Sequence, residues 1–118
     1  MALEDKAREL GRIIGQSDEY RAVTRANESL TADTEATTVL RQMEGLRREA
    51  QAMLQRGEEP TEEMEKQLDE LLTKVQSNPS YQRVAVAQEN LDKIMRHVND
   101  WISEGIQKGA QSSIITLG

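Results

Sequence analysis

Apolar residues recur along this chain at alternating spacings of three and four, in five separate stretches. Leu3, Ala7, Leu10 and Ile14 make the first; Tyr20, Val23 and Leu30 make a sparser second, with Asn27 in its seam. Ala36, Val39, Met43, Leu46, Ala50 and Met53 make the third, and Met64, Leu68, Leu71 and Val75 the fourth. Val84, Ala87, Leu91, Ile94, Val98 and Trp101 make the fifth. This spacing holds the apolar side chains on one narrow helix face, the face by which one helix seals against another. The pattern predicts an all-α fold, a five-helix bundle with heptad-like packing.

Capping residues set the predicted boundaries. The first helix runs over 3–15, with Glu4 and Asp5 in the first turn, where the helix dipole favours acids, and Gly15 as a stop. Ser17 caps a helix over 18–30, and Asp33 caps a longer one over 34–56. Gly57-Glu58-Glu59-Pro60-Thr61 is the clearest break in the chain. Gly57 supplies a left-handed residue past the helix end, Pro60 cannot continue the helix, and Thr61 caps the next one, over 62–76. So short a connection predicts a long antiparallel αα-hairpin. Asn78 as cap and Pro79 at the first helical position open the fifth helix, predicted to reach 106 or 108.

Met95, Ile102 and Ile106 widen the stripe of the fifth helix, and a wide stripe contacts more than one neighbour, so this helix is expected at the centre. Gly105 and Gly109 loosen its end. Residues 1–109 are expected to form a single helical domain and 110–118 a flexible C-terminal tail. Gly45 falls in mid-helix at a cost of about 1 kcal/mol relative to Ala, and reads as tolerated rather than required.

Only 36% of the 118 residues are hydrophobic, and Phe is absent. Spread over long helices, that makes a thin core, and thin cores gain stability from a partner. Self-association is expected, most simply as a twofold dimer. Val84, Leu91, Ile94, Val98, Trp101 and Ile102 are the candidate packing or dimer interface.

Charge narrows the partners. Between positions 58 and 72 stand Glu58, Glu59, Glu62, Glu63, Glu65, Asp69 and Glu70 against Lys66 alone, which accounts for the whole net charge of −6. No basic run tracks a phosphate backbone, so direct nucleic-acid binding is not expected. The alternative function is an RNA-contacting helical protein using Arg21, Arg25, Arg41, Arg47 and Arg48 of helices two and three. Arg21 and Arg25, one turn apart, together with the acidic cluster Glu58, Glu59, Glu62 and Glu63, are candidate docking residues for protein partners.

Little remains for chemistry. Cysteine is absent, which excludes disulfides and thiolate-held metal or iron–sulfur clusters within the chain. His97 is the one histidine and flanks the fifth seam. There is no Gly-x-Ser-x-Gly elbow and no phosphate-cradling glycine loop. The acidic cluster lacks the alternating ligands and central glycine of a calcium loop, and Glu-x-x-His pairs of di-iron bundles are missing. No catalytic residue, cofactor or metal is expected. Neither an apolar signal core nor a run of about 20 apolar residues is present, so the expected location is the cytoplasm.

The order of caps and core positions resembles the YlbF/YmcA family of small helical bacterial regulators. Ser17-Asp18-Glu19-Tyr20, Asp33-Thr34-Glu35-Ala36, Gly57 to Thr61, Asn78-Pro79, Ala87 to Leu91 and Val98-Asn99-Asp100-Trp101-Ile102 carry the resemblance, over about residues 3–106. It implies an oligomeric, non-enzymatic adaptor working through protein–protein assembly. The best-known members regulate competence, biofilm formation and sporulation by assembling with one another and with a further protein to influence an RNA-cleaving enzyme. Two departures stand out: Val84 occupies a position where members often carry an aromatic, and the cysteines tied to iron–sulfur binding in some members are missing. That cofactor is not carried over.

Overall fold

The computed structural model describes the backbone of residues 1–117 and the side chains of residues 1–111. Five α-helices account for nearly all of it: α1 (Ala2–Gly15), α2 (Asp18–Ala32), α3 (Thr34–Gln55), α4 (Glu62–Gln76) and α5 (Pro79–Leu117). No strand occurs among the described residues.

The helix starts are made by the expected side chains. The Tyr20 N–H donates to Ser17 Oγ at 3.2 Å, Ala36 N–H to Asp33 Oδ1 at 3.0 Å, Met64 N–H to Thr61 Oγ1 at 3.2 Å, and Tyr81 N–H to Asn78 Oδ1 at 3.0 Å. Each satisfies a helix-start donor that would otherwise lack a partner. Past the end of α3, Gly57 adopts φ +79°, and the Glu58 N–H turns back to the Met53 carbonyl at 2.8 Å. A side chain at Gly57 would be strained in that left-handed conformation.

The hairpin of α3 and α4 forms as expected, while the five helices assemble in pairs rather than around one centre. The strongest pairing is α2 against α5, followed by α3 against α4, with a smaller contact between α1 and α2. The radius of gyration is 22.1 Å, against about 13.5 Å for a compact domain of this length. The molecule measures 69 × 36 × 23 Å. It has two arms, α2–α5 and α3–α4, joined where both inter-helix turns meet. There Asn78 Nδ2 donates to Asp33 Oδ2 at 3.2 Å, tying the cap of α5 to the cap of α3.

The core is small in both number and size. Among the described residues Ala26, Ala36, Val39, Val75, Ala87 and Val98 are its buried members, and only Val75, at 1% exposure, is a fully enclosed side chain larger than alanine. Small residues let helix axes approach closely but remove little apolar area from water. A Cβ added at Gly45 would meet nothing within 4 Å. The glycine therefore serves no close approach.

α5 continues beyond the stop expected near Gly105 and Gly109 and is helical to Leu117. Neither glycine carries a φ that would break the helix. At 1.5 Å per residue, its 39 residues span about 58 Å. Residues 112–118, most of the expected tail, have side chains outside the described residues, as does docking by the Ile-Ile-Thr-Leu segment.

Candidate functional site

The unequal lengths of α2 and α5 create the most distinctive surface. α2 has 15 residues and α5 has 39, so much of α5 runs on without its partner. Where the two pair, the stripe is covered: Val84, Leu91 and Ile94 are half-buried and Val98 is buried. Beyond Val98 the stripe continues uncovered. Trp101 is 60% exposed, Ile102 46% and Ile106 66%, with Met95 exposed beside them.

Thus the six candidate interface residues divide. Val84, Leu91, Ile94 and Val98 contribute to packing within the chain, whereas Trp101 and Ile102 face outward. The Trp101 ring stacks on His97, with centroids 5.9 Å apart and planes 23° from parallel. That contact fixes the indole along the helix without hiding it. On α1, Leu3 and Ile13 are also exposed. Tyr20, in the stripe of α2, is also 45% exposed.

The arginines occupy different electrostatic settings. Arg47 and Arg48 both turn to Glu44, at 3.8 and 3.3 Å, and are engaged on their own helix. Arg21, Arg25, Arg41 and Arg83 form no ion pair among the described residues. The five arginines of the RNA alternative therefore do not act as one free basic set. At the hairpin tip Glu58 pairs with Arg56 at 3.5 Å, while Glu59, Glu62 and Glu63 are exposed and unpaired among the described residues. α3 has 22 residues, so the tip stands about 33 Å along the arm from the Asp33 junction. Arg21 and Arg25 sit on the other arm.

A groove between α2 and α5 escaped sequence reasoning. It is an open groove of about 570 Å³, lined by residues that include Ala22, Arg25, Ala26, Arg83, Val86 and Asn90. Its signal was present but easily discounted: Val86 is an apolar residue two positions from Val84, off the seam, and is 58% exposed.

No group of three or more His, Asp or Glu side chains among the described residues is placed to hold a metal ion. Among the described residues, one carboxyl titrates away from its ordinary value, and the cause is structural. The Asp33 carboxyl is held below its ordinary value of 3.8, first by the hydrogen bond from the Ala36 backbone N–H and then by those from Ser80 and Asn78. No helix among the described residues is long and apolar enough to cross a membrane.

These features describe a helical protein whose most unusual surface is an uncovered apolar face, the mark of proteins that act by associating with others. The family model described as "Control of competence regulator ComK, YlbF/YmcA" matches residues 3–107, and the chain belongs to that family. A UPF0342 protein of Leuconostoc mesenteroides is 24% identical over 102 residues, covering 86% of this chain and 87% of the relative. A UPF0342 protein of Streptococcus suis is 39% identical over 75 residues, or 64% of this chain and 67% of the relative. Among solved structures, Bacillus subtilis RicA in complex with RicF aligns with a TM-score of 0.80 at 19% identity, over 92% of this chain and 96% of that one. That likeness establishes a shared fold, and the resemblance read from the caps and seams is to the family so identified.

Proposed function

We propose that this chain is a non-enzymatic cytoplasmic adaptor that regulates through protein–protein assembly, offering the uncovered half of α5 as its principal contact. The observation that carries the reading is the continuous exposed run of Trp101, Ile102 and Ile106 on a helix that has outrun its neighbour. A Trp flanked by branched aliphatic residues is the composition of an interface centre. RicA, which shares the fold, was solved in complex with RicF, and that partnership supports an assembly role here. Two copies meeting across α5 would form an isologous dimer with Trp101 at its centre. On the family resemblance, the output of such assembly is control of an RNA-processing enzyme.

Sedimentation equilibrium at micromolar concentration tests the reading. The parent protein is expected as a dimer and Trp101→Glu as a monomer with unchanged helicity. A parent that remains strictly monomeric up to 100 µM would overturn homodimer formation. A functional partner is then expected to bind the parent and fail to bind Trp101→Glu.

A further inference from the structure

We infer that the groove between α2 and α5 is a second, electrostatically selective docking site, and that its occupant is α4 of another copy of this chain. This surface is separate from the exposed half of α5 and does not depend on the α5 dimer.

The groove is chemically unlike the rest of the molecule. The protein carries a net charge of −6, yet none of the ten residues lining the groove is acidic, and two, Arg25 and Arg83, are cationic. Neither arginine forms an ion pair among the described residues. Between them lies an apolar floor of Ala22, Ala26, Val86 and Ala87. Alanines on two adjacent helices leave room for a third helix to settle between them, as in close helix packing elsewhere. Val86 is more than half exposed and has nothing of its own chain over it.

α4 presents the complement. Leu68 lines the α3–α4 cleft beside Leu46 and Ala50, whereas Leu72, one turn on, is 38% exposed. Glu65 and Asp69 share the side of Leu72: positions 65, 69 and 72 follow the i, i+4, i+7 rule for one helix face. The face therefore offers one leucine for an apolar floor and two carboxylates for flanking arginines. No acid on α4 is paired to a basic side chain among the described residues. α3 and α4 form one arm and the groove lies on the other, so each copy carries both halves of the contact. Such a contact is heterologous, joining copies head to tail. An RNA occupant fits less well, because the groove has two cations, no aromatic platform for a base and an aliphatic floor.

Charge exchange tests this. Arg25→Glu/Arg83→Glu and Glu65→Arg/Asp69→Arg alter only exposed side chains, and circular dichroism should show parental helicity for both. All samples carry Trp101→Glu, so that any α5 contact is removed. Sedimentation velocity at low salt is expected to show concentration-dependent association of the otherwise unaltered chain. Each charge variant alone should associate about tenfold more weakly. An equimolar mixture of the two variants should recover association, because the acidic groove of one then faces the basic α4 of the other. Unchanged association in the single variants, no recovery in the mixture, or no association of the starting chain would each overturn the proposal. So would binding of a labelled single-stranded RNA that Arg25→Glu/Arg83→Glu abolishes. Failure here leaves the Trp101 experiment untouched, and failure there leaves this one standing.

Discussion

The two arms solve the same packing problem to different degrees. In the α3–α4 arm a six-residue turn folds one heptad seam back onto the next, and Val39 and Val75 are buried at its base. In the α2–α5 arm the helices are mismatched in length, and α5 carries Trp101, Ile102 and Ile106 past the end of any partner. The first arm turns most of its apolar stripe inward, with Leu54 and Leu72 left exposed, whereas the second leaves the far end of its stripe uncovered. The stripe of α5 is as regular as those of α3 and α4, so regular periodicity says that a helix will seal against something without saying whether that something belongs to the same chain.

The comparison breaks most readily at the base of the first arm. Val75→Asp should bury a carboxylate without a partner and destabilise the fold by about 3 to 4 kcal/mol, read as a lower urea midpoint. Trp101→Glu sharpens the contrast, because it should leave the isolated chain as stable as before while weakening self-association by about 2 kcal/mol, read by sedimentation equilibrium. If both variants lose stability equally at low concentration, the arms are not different in kind. Asn78→Ala should cost about 1 kcal/mol by removing the α5 cap, with early hydrogen exchange at the start of α5 as the local readout. Gly45→Ala should stabilise by up to about 1 kcal/mol, since the added methyl meets open space and the helix gains propensity. Gly57→Ala should act in the opposite direction because of its positive φ.

The smallest effect concerns acidity. Because the folded state lowers the Asp33 pKa, the carboxylate contributes stability above its ordinary value of 3.8, and that contribution fades as pH falls through the lower folded value. Asp33→Asn should therefore lower stability at neutral pH, where the carboxylate contribution is fully present, and flatten the acid limb of the stability profile. An identical acid limb in both proteins would remove Asp33 as a contributor.

Much of the fold was legible because its signals are local. Ser17, Asp33, Thr61 and Asn78 each bond to a backbone N–H three residues away, so their roles depend on nothing distant. Gly57 and Pro60 mark the hairpin for the same reason. What the chain did not reveal is long-range. The Asp33–Asn78 bond spans 45 positions, and nothing in either local sequence announces it. The stop expected at Gly105 and Gly109 failed to appear because helix propensity is a weak preference, and two glycines set among good helix formers do not exceed it. The candidate interface was legible as a stripe, but its division between Val98 and Trp101 follows from where α2 runs out, which is a property of two helices at once. The α2–α5 groove was hidden because Arg25 and Arg83 become neighbours only after folding.

A core built from alanine and valine has a consequence for the protein's life in a cell. With so little apolar area removed from water inside each copy, the proposed assembly would supply part of the folding free energy, in proportion to the occupied fraction. Copies made in excess of their partners would spend longer open to proteases than copies already engaged. The dose of such a regulator is then trimmed to match its assembly, without any dedicated sensor.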